Sequence, residues 1–488
     1  MKNPLVKVLA ILFFLEILLF ATSLLMPLPE LNLNGNKFFF RFISSDELFD
    51  FRFKVKENAT AEKLFKNYSL DQPFDFTAFF KRKPLCIGEK KTSKTYFLNP
   101  DIGNGVLALD KFFNALYTLN DTTTLRIAHY GDSQLEGDRL TCCLRTCFQH
   151  EFGGSGIGYV PFTDITSHTQ LNRNYSANWI RYNVFNSPFR NNFYGASGIV
   201  FNILGSTFGH QGMTAVPATA TVSFDFNPGV VYDHISIFYG KTARPFRIIS
   251  NDDSLSKKIA EDTFPATDSF FIKRLRVPSN LKKLKFELLT SSSTDLFGFL
   301  IDGKKGIQVD NYSIRGHSGD RLLNINTEYL GKQLKSLNTR LVILQFGANV
   351  VPYIYSDADC KMLEALFYKL FMKFKEANPD ISILVIGAGD MINIKNGQET
   401  SYPMLPKIRD AQKNAARKAG CAFWDLFDAM GGKNSISSWA AKGYASKNGH
   451  FYPPGQLIVA NELYSAIMAE YHMYLFKQRE NNLASKTK

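Results

Sequence analysis

The chain of 488 residues has few cysteines, and none is arranged as a metal ligand would be. No C-x-x-C pair and no Cys/His set has metal-ligand spacing, so no metal is predicted. We interpret the cysteines as small buried residues, with a disulfide bond between distant members as the alternative. The six are Cys86, Cys142, Cys143, Cys147, Cys360 and Cys421.

Acidic residues are outnumbered by basic ones, 44 against 57, which gives a net charge of +13. The basic residues are spread along the chain, and no nucleic-acid motif is visible, so nucleic acid is not expected as a partner. A basic exported protein would meet anionic lipid or anionic cell-wall polymers. A basic surface without a specific partner explains the charge equally well.

One long hydrophobic run stands at the N-terminus, between Val8 and Met26, with Glu16 as its only charged residue. Its length is close to what a membrane-spanning helix needs, and Lys2 and Lys7 precede it. The run lacks a small-x-small cleavage site, and no cysteine follows it for lipid attachment. The pattern predicts a signal-anchor over residues 1–30, with the rest exported and held at the inner membrane, facing the periplasm. A cleaved signal peptide, leaving a periplasmic or secreted protein, is the alternative.

The remaining chain reads as an α/β domain with a β insertion. Residues 31–120 form an N-terminal extension that ends in an amphipathic helix, and the first α/β part covers 121–162. Short stretches rich in β-branched and aromatic residues follow over 163–296 and predict an antiparallel β-sandwich. Strands and helices alternate again over 297–488, which predicts a parallel sheet covered on both faces.

The segment GDSQLE, Gly131 to Glu136, follows the apolar run Leu125 to Tyr130. A glycine turn after a buried strand can present Ser133 as a nucleophile, with Asp132 bracing the turn through local N–H bonds. The following residues predict a helix, so we expect Ser133 at a helix N-terminus, where the dipole favours a negatively charged oxygen.

Three downstream segments offer the partners that acyl transfer by serine requires. Gly319 lies on a loop after the insertion, where its N–H can approach a substrate oxygen, with Gly316 as a competitor. Asn349 follows a buried strand and can donate its amide to the same oxygen. His450 stands in a turn-rich loop before the last helix and is the candidate base.

The order of these segments resembles the SGNH/GDSL hydrolase family. GDSQLEGDRLT, FGGSGIGYV and GKKGIQVDNYSIRGHSGD are similar to segments of bacterial peptidoglycan O-acetylesterases, in which a carbohydrate-binding-like β-sandwich interrupts the SGNH fold. The resemblance implies a three-layer SGNH-type fold. It also implies Ser133 as nucleophile, His450 as base, and an oxyanion hole formed by Ser133, Gly319 and Asn349.

One position departs from the family pattern. The family carries Asp three residues before the histidine, where this chain has Lys447. No carboxylate lies between Asp428 and His450, and Asn448 is the nearest polar substitute. In a serine protease, exchange of the triad Asp for Asn lowers turnover by roughly 10⁴, largely through the wrong histidine tautomer.

The leading hypothesis is an exported serine esterase that removes O-acetyl groups from a cell-wall or extracellular polysaccharide. This chemistry implies no organic cofactor either. A second hypothesis is a polysaccharide O-acetyltransferase that works with a membrane O-acyltransferase. A third is a catalytically degenerate glycan-binding protein. Trp179, Tyr182 and Tyr194 of the insertion could stack on sugars, although aromatic residues of a sandwich usually belong to its core.

Overall fold

The computed structural model describes residues 30–33, 36–39, 58–68, 96–205, 218–395 and 398–486. The chain divides into two units, Met1–Lys56 and Glu57–Lys488. In the first unit, the described residues form one antiparallel hairpin. The predicted signal-anchor run from Val8 to Met26 lies outside the described residues. Among those that are described, no helix is long and apolar enough to cross a membrane.

The strands are numbered in chain order. They are β1 Glu30–Leu33, β2 Asn36–Phe39, β3 Phe97–Leu98, β4 Thr124–Gly131, β5 Gly156–Val160, β6 Leu171–Tyr175, β7 Trp179–Asn183, β8 Ile199–Ile203, β9 Ala218–Phe226, β10 His234–Thr242, β11 Phe246–Asp252, β12 Lys257–Phe264, β13 Phe271–Arg274, β14 Lys283–Thr290, β15 Thr294–Asp302, β16 Gly306–Ser313, β17 Thr339–Gln345, β18 Ser382–Ile386, β19 Ile392–Lys395, β20 Gln398–Ser401 and β21 Ala422–Trp424.

The α-helices are numbered in the same way. They are α1 Ala59–Phe65, α2 Asp110–Tyr117, α3 Arg139–Phe152, α4 Thr327–Ser336, α5 Asp357–Ala377, α6 Leu405–Lys418, α7 Leu426–Ala429, α8 Ser435–Ala441 and α9 Pro453–Lys486.

The α/β part is built on one sheet with the strand order β16-β4-β17-β18-β21-β3. The first five strands are parallel, and β3 pairs with β21 in the antiparallel sense. Helices cover both faces of this sheet, so that side chains on alternate positions of a strand belong to two different hydrophobic cores. Tyr130 belongs to the core that includes Phe374 of α5, whereas Ile127 belongs to the core that includes Leu144 of α3 and Leu463 of α9. The predicted α/β class with a parallel sheet is confirmed.

Between the two α/β segments, antiparallel strands form two sheets that pack face to face. One sheet has the order β12-β11-β14-β9-β6, and the other has β13-β10-β15-β8-β7 with β5 also paired to β15. Phe224 and Phe286 of the first sheet meet Phe299 of the second, with ring centroids 4.8 and 5.1 Å apart. These strands form the expected β-sandwich architecture, but the bounds predicted for it, 163–296, are too narrow, because β5 and the whole of β15 belong to its sheets.

A buried ionic cluster joins the sandwich to the parallel sheet. Arg126 of β4 donates to Asp302 of β15 and to Asp310 of β16, each at 2.6 Å. Asp310 also accepts from the hydroxyl of Tyr312 at 2.8 Å and from the backbone N–H of Tyr159 at 2.9 Å. We call these five residues the junction cluster. It connects strands of both parts through side chains that exclude water.

Candidate active site

Ser133 lies in a tight turn directly after β4. Only glycine fits at position 131, because a Cβ there would come within 2.6 Å of Leu135 and 2.9 Å of the Gln345 carbonyl oxygen. The Asp132 carboxylate is buried and accepts the backbone N–H of Gln134 at 2.9 Å, so it braces the turn as expected.

The expectation that Ser133 begins an α-helix is wrong. A 3₁₀ turn, Glu136–Asp138, follows the serine, and α3 starts at Arg139. Gly137 and Asp138 adopt left-handed conformations, with φ of 72° and 65°, which interrupt the helical path. Stabilisation of a negatively charged oxygen at Ser133 therefore depends on individual hydrogen-bond donors and not on the dipole of α3.

His450 meets Ser133 across the carboxyl edge of the sheet. The Ser133 Oγ lies 2.8 Å from the His450 Nε2. The adjacent Gln134 side chain holds the histidine loop from both sides, because it donates to the Gly449 carbonyl at 2.5 Å and accepts from the Phe451 N–H at 3.3 Å. The nucleophile turn and the base loop are thus fastened to each other.

The side-chain amide of Asn448 occupies the position that the acidic residue has in a catalytic triad. The His450 Nδ1 lies 2.9 Å from the Asn448 Oδ1, which also accepts from the Ser446 hydroxyl. A carbonyl oxygen can only accept here, so Nδ1 carries the proton and Nε2 is free to accept from Ser133. Lys447, at the family's Asp position, is exposed and pairs with Glu399 of the β19–β20 hairpin.

Charged side chains surround this pair without touching the imidazole. Burial lowers the pKa of His450, and the nearby Arg139 and Arg315 act in the same direction. Glu136 acts against them, and its carboxylate accepts two bonds from Arg315 at 2.8 and 2.5 Å. His450 is therefore neutral, as a general base must be, to a lower pH than an ordinary histidine.

Asn349 is joined to the turn that carries the nucleophile. Its Nδ2 donates to the Asp132 Oδ2 at 2.8 Å and to the His317 carbonyl at 3.1 Å. Both amide hydrogens are thus used within the protein, and a substrate oxygen would have to replace the His317 carbonyl. Burial raises the pKa of Asp132 to about 6. As a carboxylate near neutral pH, Asp132 is an acceptor that orients Asn349.

Gly319 and Gly316 follow β16, which is paired to β4 on the side opposite β17. Ser133, Asn349 and these glycines thus lie at the carboxyl ends of three adjacent parallel strands. Gly319 has φ of 93°, and a Cβ would come within 3.0 Å of Phe346. Within the described residues, the Gly319 N–H has no acceptor. An unused N–H at this edge is suited to an oxyanion.

The aromatic residues proposed for sugar stacking belong to the structure of the sandwich. The Trp179 ring stacks on Phe162 at 4.8 Å and its Nε1 donates to the Thr221 carbonyl at 3.1 Å. Tyr194 is buried, and Tyr182 packs against Phe189. These contacts favour the core alternative.

The described cysteines are all buried. Cys147 is disulfide-bonded, which matches the alternative stated from the sequence, while Cys142, Cys143, Cys360 and Cys421 are free thiols. In the described ranges, no group of three or more His, Cys, Asp or Glu side chains is arranged to hold a metal ion.

Sequence reasoning missed three features of the site. Gln134 follows the nucleophile, but no local pattern shows that its side chain reaches residues 449 and 451. The Glu136–Arg315 pair and the approach of Phe185 from the sandwich likewise depend on contacts between distant segments. The only sequence signal was the proximity of Gln134 and Glu136 to Ser133.

Comparisons with known proteins agree with this fold. Residues 290–457 match the sequence model of the GDSL-like Lipase/Acylhydrolase family. A solved peptidoglycan O-acetylesterase has the same fold, with a TM-score of 0.59 and 20% identity over 75% of this chain and 96% of that one. The resemblance to SGNH/GDSL hydrolases, and to peptidoglycan O-acetylesterases among them, is confirmed.

Two other solved structures are similar over smaller parts of the chain. An acetyl xylan esterase matches with a TM-score of 0.26 and 15% identity, over 33% of this chain and 81% of that one. A family two carbohydrate esterase from Clostridium thermocellum matches with a TM-score of 0.24 and 10% identity, over 52% of this chain and 92% of that one. No curated protein matches the sequence significantly.

Proposed function

We propose that this chain, an SGNH/GDSL-like protein with an inserted β-sandwich, is an exported serine esterase that removes O-acetyl groups from a cell-wall or extracellular polysaccharide. The observation that carries the proposal is the line of contacts from Ser133 through His450 to Asn448, at 2.8 and 2.9 Å. It joins a nucleophile, a base in the correct tautomer and a group that orients the base.

In the first half-reaction, the Ser133 Oγ attacks the acetyl carbonyl carbon while its proton moves to the His450 Nε2. The carbonyl oxygen becomes an oxyanion, with the N–H groups of Ser133 and Gly319 and the Asn349 amide as its donors. Collapse of this intermediate breaks the bond to the sugar oxygen. That oxygen takes the proton from His450, which leaves the sugar with a free hydroxyl and Ser133 acetylated.

In the second half-reaction, water attacks the acetyl-serine and gives one proton to His450. Collapse of the second tetrahedral intermediate returns that proton to the Ser133 Oγ and releases acetic acid, which loses the second proton of the water to solvent and becomes acetate. Asn448 keeps Nδ1 protonated throughout and so prevents the inactive tautomer. As a neutral amide it stabilises the imidazolium less than a carboxylate would, and acetyl esters need less activation than amides.

Two observations support an extracellular glycan as substrate. Tyr353, Tyr355 and Tyr452 follow Asn349 and His450 in the chain and are 71%, 78% and 48% exposed, as side chains that meet a ligand often are. The hydrophobic run from Val8 to Met26 and the disulfide-bonded Cys147 support export to an oxidising compartment.

The test is acetate release by the full chain, purified in detergent, from methyl acetate and from O-acetylated peptidoglycan. We expect acetate release from both substrates, and a rate of release at least about 10³-fold lower in Ser133→Ala and in His450→Ala. Unchanged thermal unfolding of both variants serves as the control for folding. Release that persists in Ser133→Ala would contradict the proposal. Transfer of the acetyl group to an added sugar, in place of acetate release, would support the acetyltransferase hypothesis.

A further inference from the structure

We propose that Phe185 of the inserted sandwich forms one wall of the catalytic cleft and binds the ring of the O-acetylated sugar. This inference rests on the proposed function, since it assigns the part of the substrate that the insertion recognises. It identifies a binding residue outside the α/β fold.

The turn that carries Phe185 is fixed by its own sequence. Asn183 ends β7 and is buried, and its Oδ1 accepts the backbone N–H groups of Phe185 at 2.9 Å and Asn186 at 3.1 Å. The Asn183 N–H donates to the Ser187 carbonyl at 2.9 Å and closes the turn. An asparagine that binds the following N–H groups in this way holds a loop in one conformation. The Phe185 ring is therefore presented by a preorganised turn.

From this turn Phe185 reaches the loop that follows β16. Its ring centroid lies 5.7 Å from that of His317, and a Cβ at Gly316 would come within 3.3 Å of its Cε1. The buried His317 packs on its other side against Phe346, at 5.4 Å. The His317 carbonyl accepts from Asn349, which in turn donates to Asp132 beside the nucleophile. Phe185 thus lies one residue away from the proposed oxyanion donors.

Phe185 is 38% exposed, although other aromatic rings of the sandwich, such as Trp179 and Tyr194, are packed into it. Leaving part of a phenylalanine ring in water forgoes hydrophobic stabilisation, which a ligand covering the ring would recover. Ligand sites combine such apolar surfaces with a few polar groups, and Ser133, His450 and Asn349 supply the polar groups here. The apolar C–H face of a sugar ring suits the Phe185 surface, while its acetyl ester reaches Ser133.

The experiment measures glycan binding and turnover separately. Binding of O-acetylated muropeptides and O-acetylated xylo-oligosaccharides is measured by calorimetry in the Ser133→Ala background, with and without Phe185→Ala. We expect about tenfold weaker binding of at least one of them without the ring, the order of magnitude of an aromatic contact. Phe185→Trp should retain the affinity.

Phe193→Ala is the matched control, because Phe193 belongs to the same insertion, is 40% exposed and packs against Tyr329 of α4 at 5.0 Å. It should leave binding unchanged. With Ser133 intact, Phe185→Ala should raise KM for the oligosaccharide about tenfold, and kcat/KM should fall more for the oligosaccharide than for methyl acetate, which has no ring.

Three results would overturn the inference. These are equal glycan affinity with and without the Phe185 ring, no binding of either oligosaccharide to Ser133→Ala, or an equal loss of methyl acetate turnover in Phe185→Ala. The last result would mean that the ring only supports the site. Glycan binding that depends on Phe185 in a chain that releases no acetate would instead contradict the proposed function, while still showing that Phe185 binds the glycan.

Discussion

The junction cluster and the proposed catalytic group are two polar assemblies with opposite designs. The charged members of the junction cluster are a buried guanidinium, Arg126, and two buried carboxylates, Asp302 and Asp310, with short contacts of 2.6 Å. The catalytic group of Ser133, His450 and Asn448 is half-buried to exposed and contains no carboxylate. Both connect segments that are far apart in the sequence, but only the first does so with charge.

The difference shows that this fold places permanent charges in its structural junction and neutral groups next to the catalytic histidine. A buried ion pair is retained only when each charge keeps its partner, so the junction cluster tolerates no movement. A histidine that must gain and lose a proton in each cycle needs neighbours that accept either state. The neutral amide of Asn448 contacts the imidazole in both protonation states. The charged groups of Glu136 and Arg139 lie farther away and do not contact it. We therefore expect changes in the junction to affect stability and changes in the catalytic group to affect rate.

The largest effect is expected from Asp310→Ala. This change leaves Arg126 and the hydroxyl of Tyr312 without one of their buried acceptors, and we expect a loss of about 3–5 kcal/mol in the free energy of unfolding. Chemical denaturation measures it. Asp225→Ala removes an exposed carboxylate of the inserted sandwich, which pairs with Lys283 at 3.5 Å, and should have a far smaller effect. Equal effects of the two changes would contradict the structural role of the junction cluster.

The next effect concerns the amide beside His450. Asn448→Ala removes the acceptor of Nδ1, and we expect kcat to fall about 10²-fold because both tautomers become accessible. Asn448→Asp introduces the missing carboxylate, so kcat should rise. The pKa of His450 should also rise, because a negative neighbour favours the imidazolium, and the acid limb of the pH–rate profile should move to higher pH. The three pH–rate profiles test this, and an unchanged profile in Asn448→Asp would contradict the contact.

The sequence predicted those parts of the molecule that depend on local pattern and on strand order. The apolar run before Ser133 predicted β4, and the resemblance to SGNH/GDSL hydrolases implied that Ser133, Gly319 and Asn349 belong to one site. The sequence did not predict features that depend on backbone conformation or on contacts between distant segments. Left-handed residues 137 and 138 delay the start of α3, and no periodicity reveals that Phe185 of the sandwich reaches His317. The roles assigned to the site residues remain predictions until their variants are measured.

A smaller effect is expected from Gln134→Leu. Leucine has nearly the size of glutamine but cannot hold Gly449 and Phe451, so the His450 loop gains freedom relative to Ser133. We expect kcat/KM to fall about tenfold, because the reacting groups lose their alignment. Gln149→Leu is the matched control, since the Gln149 side chain likewise makes two bonds to the backbone, donating to the carbonyls of Gly156 and Ile307, each at 3.2 Å. Similar thermal stability of the two variants with a rate loss in Gln134→Leu alone would identify Gln134 as a positioning residue.

The smallest effect concerns the pH dependence of kcat/KM, both in the unaltered protein, compared with an ordinary histidine, and in one arginine variant. Burial, Arg139 and Arg315 lower the pKa of His450 against the opposing influence of Glu136, so the acid limb of kcat/KM should have its midpoint below 6.5. Arg139→Gln removes one cation and makes protonation of His450 easier, which should move the midpoint to higher pH. Arg190→Gln, an exposed arginine of the sandwich, should not move it. A midpoint above 6.5 in the unaltered protein would mean that a carboxylate acts on His450 more strongly than the structure indicates, and the contrast between the charged junction and the neutral catalytic group would fail.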